Sequence, residues 1–314
     1  MRVTGHEQQK NILNKALQSG SVPHAFIFSG LDKIGKKAIA LEFVKDIFCS
    51  NKTLTKEFCG ACHACRSVND LALPDLAFVS PEEAGKEIKL EQINLLTEKL
   101  SLKSYDNGYK IGIIDDAHLM NVHAQNALLK TLEEPKGKTV LILITAYPEM
   151  LLSTIRSRAQ TLKFTGVAKE KIEKYLVSLG ASAEAAKEIS LISSGQTGKA
   201  VDFFNNPDKI KAFKQELEEI EGMCGAEYSD RFNYAKQLTE AAETSEELLD
   251  KIEVWERFFR REMLYKIFGN KSRFSQYTAE NLVAIVKNLE KMKRLIASTN
   301  INKKLAIENF LLNL

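Results

Sequence analysis

With 314 residues, 44% of them hydrophobic and 27% charged, the chain has the composition of an ordinary globular protein and is long enough for two or three domains. Its net charge of +3 is too small to establish nucleic-acid binding, and its longest apolar run, Thr139 to Ala146, is too short to span a bilayer. The N-terminus, Met1-Arg2-Val3-Thr4-Gly5-His6-Glu7, carries no long apolar segment, so a cytosolic protein is expected; in a reducing compartment the five cysteines point to metal or burial, not disulfides.

Up to about residue 164 apolar strands alternate with amphipathic helices, the pattern of a parallel sheet covered on both faces. Helices are expected over Glu7–Ser19, Lys36–Phe48, Leu90–Leu100, Asn121–Glu133 and Leu151–Arg156. The strands expected between them are Ala25–Phe28, Leu76–Val79, Lys110–Ile114, Thr139–Thr145 and Gln160–Phe164. The helix ending in Leu132-Glu133-Glu134 must stop at Pro135, which has no amide hydrogen to donate.

Between the first strand and its helix lies Gly30-Leu31-Asp32-Lys33-Ile34-Gly35-Lys36-Lys37, a phosphate-binding loop broken at one residue. Backbone amides around Gly30 and Gly35 can cradle phosphates and Lys36 can pair with them. The last position calls for the Ser or Thr hydroxyl that holds Mg²⁺, and Lys37 instead adds a competing positive charge. Weak or absent ATP hydrolysis is expected; a glycine-rich turn without nucleotide is the alternative.

Cys49, Cys59, Cys62 and Cys65 follow as C-x₉-C-x₂-C-x₂-C, a spacing that can wrap one tetrahedral Zn²⁺ while backbone amides bond the sulfurs. With no open coordination position in view, the zinc is expected to be structural and His63 a bystander. Free thiols are the alternative. Cys224 stands alone and is expected to be buried.

The strand Ile111-Gly112-Ile113-Ile114 ends in Asp115-Asp116-Ala117-His118, where a nucleotidase places its metal-coordinating acid. Asp115 would hold metal-bound water, and Asp116 stands where a longer Glu usually polarises the attacking water. The alternative is that these carboxylates cap the helix starting near Asn121. Thr145, ending its strand, is placed to sense a γ-phosphate. Farther on, Ser157-Arg158-Ala159 puts an always-charged side chain at the domain edge, where it can complete a neighbour's active site or pair with an acid of its own chain.

Thr165-Gly166 reads as a hinge. Residues Lys169 to Ala200 read as small helices with turns at Gly180, Gly195 and Gly198. All six prolines lie at or before Pro207, and beyond it only Gly222, Gly225 and Gly269 interrupt what reads as a helical bundle. Its stripe of Leu282, Ile285, Val286, Leu289, Met292, Leu295 and Ile296, and a last apolar helix over 305–314, suit internal packing, with a subunit contact at the chain's end as a second use.

The order of these features carries more than any one: phosphate loop, four-cysteine insertion, Asp-Asp-Ala-His, Asn126-Ala127-Leu128-Leu129-Lys130-Thr131-Leu132-Glu133-Glu134-Pro135, then Ser157-Arg158-Ala159. Together they resemble the bacterial clamp loader subunits of the AAA+ superfamily, of the delta prime kind in DNA polymerase III. Gly5-His6-Glu7, Pro23-His24-Ala25-Phe26, Pro74-Asp75 and Asn300 to Glu308 fit the same pattern, so the resemblance spans the chain.

That resemblance implies an α/β AAA+ P-loop domain with a zinc-binding insertion over 1–165, a small helical lid over 166–206 and an all-α collar over 207–314. It also implies a hetero-pentamer with gamma or tau and delta subunits that uses ATP to open a sliding clamp and place it on primed-template DNA in the bacterial cytoplasm. This chain would be a non-hydrolysing member, itself neither polymerase nor active ATPase, with Arg158 acting in trans on a neighbour's ATP. Ala159 replaces the family's Cys, and the motor subunits' sensing arginine has no clear counterpart, Lys199 lying near its place. Three competing readings are an ATP-hydrolysing gamma or tau type, a zinc-containing nucleic-acid-binding module and a purely architectural ring subunit.

Overall fold

A computed structural model describes residues 3–52, 57–83, 86–105, 108–241, 245–268, 274, 276–298 and 302–314. Gly269, Asn300 and Ile301, named above, lie outside the described residues. The chain divides into two compact units, Met1–Asn205 and Asn206–Leu314.

In the first unit the order is α1 (Glu7–Gln18), β1 (Ala25–Ser29), α2 (Lys36–Phe48), α3 (His63–Asn69), β2 (Leu76–Val79), α4 (Leu90–Ser101), β3 (Tyr109–Ile114), α5 (Val122–Glu133), β4 (Lys138–Thr145), α6 (Ser153–Arg156) and β5 (Gln160–Lys163). Three helices then close the unit: α7 (Lys169–Ser178), α8 (Ala183–Ile192) and α9 (Thr197–Asn205). The five strands form one parallel sheet in the order β2-β3-β4-β1-β5.

The strand sequences look uniformly apolar because both faces of a parallel sheet are covered, yet the alternation of side chains persists. Phe26 and Phe28 pack with Ile39, Phe43, Ile111 and Ile142 on one face. Ala25 and Ile27 pack with Leu96, Leu128, Leu141 and Leu143 on the other.

Helix boundaries follow local chemistry. Asn121, expected as the first residue of α5, is its cap: its side chain accepts the Ala124 amide at 2.9 Å. The cap of α5 is therefore Asn121 and not the carboxylates upstream. Leu151 and Leu152, expected as helical, are extended, and α6 begins only at Ser153. Helix α3, inside the cysteine insertion, was not expected. Gly198, expected at a turn, is the second residue of α9; a glycine is needed there because a Cβ would lie 2.7 Å from the Lys33 carbonyl oxygen.

The second unit comprises α10 (Pro207–Met223), α11 (Tyr228–Ala241), α12 (Ser245–Ile267), α13 (Ala279–Ser298) and α14 (Lys303–Leu312). Its core centres on Trp255, wholly buried and stacked on Phe310 at 5.6 Å, with Ile252, Phe258, Leu282, Leu289 and Ile307 around it. Along α12 and α13 a ladder of Glu256, Arg260, Glu290 and Lys293 ties the two helices at 2.8–3.0 Å. The expected stripe on α13 is buried except Leu295, which lies at its margin, three residues past Met292, and is 39% exposed. On α14, Ile307, Phe310 and Leu311 are buried while Leu305 faces solvent. Cys224 is buried, as its isolation suggested. No helix among the described residues is long and apolar enough to cross a membrane.

Candidate functional site

The carboxyl ends of β1, β3 and β4 lie side by side, so the loop after β1, the acids after β3 and Thr145 at the end of β4 converge on one edge of the sheet, where open α/β sheets bind ligands. Gly30 donates its amide to the Thr145 carbonyl at 3.2 Å. A Cβ at Gly30 would lie 2.4 Å from the Phe164 carbonyl oxygen, so no other residue fits that first turn. Gly35, with φ 107°, opens α2.

Both lysines of the loop are engaged within the chain. Lys36 is buried, and its ammonium donates to the carbonyls of Gly30 at 2.6 Å and Leu31 at 2.7 Å, with the Asp32 carboxylate at 3.7 Å. Burial pulls its pKa below the usual lysine value, against the opposing pull of Asp32, Asp116 and Asp115. Lys37, at the hydroxyl's position, stands 3.2 Å from Asp115 Oδ2 and 4.4 Å from the centre of the Phe78 ring. The acid expected to hold a metal ion is thus paired with the residue that replaced the metal's other ligand. A magnesium ion does not fit this arrangement: one position offers no oxygen, and the other's carboxylate faces an ammonium.

Asp116 adopts a left-handed conformation (φ 50°) that turns the chain into the short 3-10 segment Ala117–Leu119. His118, buried, lies 3.3 Å from the Thr145 hydroxyl through Nδ1, and its ring packs edge-on against Tyr147. Burial, aided by the charge on Lys36, lowers its pKa to about 4, so it is neutral at pH 7. The Thr145 hydroxyl is wholly buried and also accepts the Tyr147 amide at 2.9 Å.

The helical segment that follows the sheet grips the loop from outside. Gln196 Nε2 donates to the Asp32 carbonyl at 3.0 Å, the Gly198 amide to Lys33 at 2.7 Å and the Thr197 hydroxyl to Ile34 at 3.2 Å. The Ile34 carbonyl also meets His6 Nε2 at 2.9 Å, and the His6 ring stands edge-on to Phe164. The contacts of Gln196, Thr197 and Gly198 join residues more than 160 positions apart, and no spacing rule announces them. Lys199 is buried, with its ammonium 5.8 Å from the centre of the Phe203 ring.

The four expected cysteines do meet. Their sulfurs all lie within 4.8 Å of one another, those of Cys49 and Cys62 at 3.9 Å, beyond any disulfide. A tetrahedral ion with sulfurs at about 2.3 Å sets them roughly 3.8 Å apart, so the donor set fits zinc. Amides of Cys59, Ala61 and Cys62 point at the sulfurs at 3.3–3.4 Å. The last two hold the Cys59 thiol below its usual pKa, favouring the thiolate a metal needs. Helix α3 begins one residue after Cys62 and brings Cys65, fully buried, back to the cluster. Phe58 covers it.

Arg158 lies beyond α6, 37% exposed through its side chain. It donates to Glu133 Oε1 at 2.9 Å and to the Thr154 carbonyl at 3.0 Å. Both are edge contacts that solvent reaches, so the guanidinium is oriented without being enclosed.

Comparison with known proteins bears on this arrangement. A family model described as DNA polymerase III, delta subunit matches residues 5–168. The chain is 34% identical over 197 residues (63% of its length, 58% of the relative's) to DNA polymerase III subunit delta' of Bacillus subtilis. It is 37% identical over 175 residues (55% and 53%) to DNA polymerase III subunit delta' of Pseudomonas aeruginosa. To DNA polymerase III subunit tau of Bacillus subtilis it is 28% identical over 283 residues (84% and 50%). The chain thus spans about half the length of the curated relatives it matches.

Proposed function

Because the chain belongs to the DNA polymerase III, delta subunit family, we propose that it is a delta prime type subunit of a bacterial clamp loader, one that does not hydrolyse ATP itself. In this reading it joins gamma or tau and delta subunits in a hetero-pentamer of the cytoplasm that opens a sliding clamp and places it on primed-template DNA. Residues 1–165 are the AAA+ domain, 166–206 its lid and 207–314 the collar through which the ring assembles. Cys49, Cys59, Cys62 and Cys65 hold a structural zinc ion, which organises the insertion and takes no part in chemistry.

The observation that carries this reading is the pairing of Lys37 with Asp115 at 3.2 Å. Phosphoryl transfer depends on a metal held between these two positions, and here each has the other. Gly30, Gly35, Lys36, Lys37, Asp115, Asp116 and Thr145 are then a degenerate nucleotide site whose frame survives without its chemistry. Arg158 lies apart from that site at the edge of the domain, its side chain 37% exposed. As an arginine finger it would act on the ATP of a neighbouring subunit, where such a charge is worth about 10³-fold or more in turnover.

The test is the ATPase rate of this chain alone and then combined with gamma or tau, delta, clamp and primed DNA. Silence alone, activity in the mixture, and loss of about 10³-fold of it in Arg158→Ala are the expected results. Robust turnover by the chain alone would reassign it as a motor subunit. A mixture indifferent to Arg158→Ala would reduce it to an architectural member.

A further inference from the structure

We infer that Lys37 is a tethered cation standing where a divalent ion would sit, so that this loop excludes magnesium, and that replacing this one side chain opens the loop to it. The inference rests on the reading of the loop as a descendant of a nucleotide site, and concerns which charge completes it.

Three observations converge. Lys37 projects from the first turn of α2 and reaches Asp115, beyond β3, at 3.2 Å. The same ammonium lies 4.4 Å from the centre of the Phe78 ring on β2, a contact that favours a cation at that place. Asp115 itself is largely withdrawn from water, its side chain 18% exposed, and the strand holds its backbone through an amide bond to the Val79 carbonyl at 2.9 Å. A carboxylate so placed needs a positive partner, and the chain supplies one.

The consequence is selective. A magnesium ion demands near-octahedral oxygen ligands, and residue 37 offers nitrogen instead of oxygen. It would also meet a fixed positive charge at close range. The loop's frame needs no metal, since the carbonyls of Asp32, Lys33 and Ile34 are held by Gln196, Gly198, Thr197 and His6.

The decisive experiment titrates ATP into the full chain by calorimetry, in excess MgCl₂ and in excess EDTA, for the native protein, Lys37→Thr, Lys37→Ala and Lys37→Thr/Asp115→Asn. The native chain should bind equally in both buffers, or in neither. Lys37→Thr, which restores the hydroxyl and frees Asp115, should bind at least about tenfold more tightly with magnesium than with EDTA. The double variant should lose that gain, and Lys37→Ala should show a smaller one. Thermal unfolding of each variant checks that the fold is intact, as expected for a half-exposed side chain. Magnesium-dependent binding by the native chain, or no magnesium-dependent gain in a folded Lys37→Thr, would overturn the inference. Neither result touches the role of Arg158, which is read separately in the assembled loader.

Discussion

The first unit contains two places built around a cation, and they solve the problem in opposite ways. At the cysteine insertion four sulfurs converge with backbone amides aimed at them, a donor set with the geometry to hold an ion from outside. At the phosphate loop the cation is part of the chain: Lys37 faces Asp115, and Lys36 is turned onto the carbonyls of Gly30 and Leu31. The first arrangement offers four sulfurs to one metal ion. The second holds a loop's shape with charges of its own, because Lys36 and Lys37 already face carbonyls and a carboxylate of the chain. A motif's survival therefore says little about its activity unless the partner of each charged group is known.

The contrast is broken most forcefully at the cysteines. Replacing Cys65, the fully buried cysteine of the four, with Ala removes one sulfur and, on the zinc reading, should release the ion. The expected loss is about 3 kcal/mol or more of stability in urea unfolding, together with zinc absent by elemental analysis. A chelator strong enough to strip the native protein should reproduce it. The phosphate loop should be indifferent to the same chelator; a response there would erase the distinction.

A comparable effect on the loop side comes from protons. His118 is held neutral, its pKa lowered to about 4 by burial, with Lys36 adding to the shift. The unfolded chain, with an ordinary histidine, binds a proton more readily. The stabilising contribution is therefore complete above the unfolded value near pH 6.5 and is lost as pH falls from there toward about 4, up to roughly 3 kcal/mol in all. His6, also lowered by burial, acts with the same sign. Urea unfolding at stepped pH should show this slope for the native chain and a shallower one for His118→Gln.

A smaller effect sharpens the account of what holds the loop. In Gly198→Ala the new Cβ would press on the Lys33 carbonyl at 2.7 Å. Because the contact is backbone, α9 must shift, at a cost of about 2 kcal/mol. Amide exchange should rise at 196–198, where the segment meets the loop, and the cysteine insertion should stay protected. Unchanged exchange would mean that the grip of α9 on the loop is incidental.

Much of this protein can be read from its sequence. The five strands, the helices between them apart from α3, the helical remainder and the four-cysteine set follow from apolar periodicity, proline positions and ligand spacing, because these rules act over a few residues. The broken loop motif could be recognised, and so could the lack of an oxygen at Lys37. Tertiary structure decided where the charges went. The strand order sets Asp115 beside Lys37, and a bond across 164 residues ties Gln196 to Asp32. Arg158 found Glu133 because α5 ends beside it, and Gly198 proved to be a contact point inside a helix. Local sequence sets which conformations are cheap, whereas the partner of a charged side chain depends on which distant segments the packed sheet brings within a few ångströms.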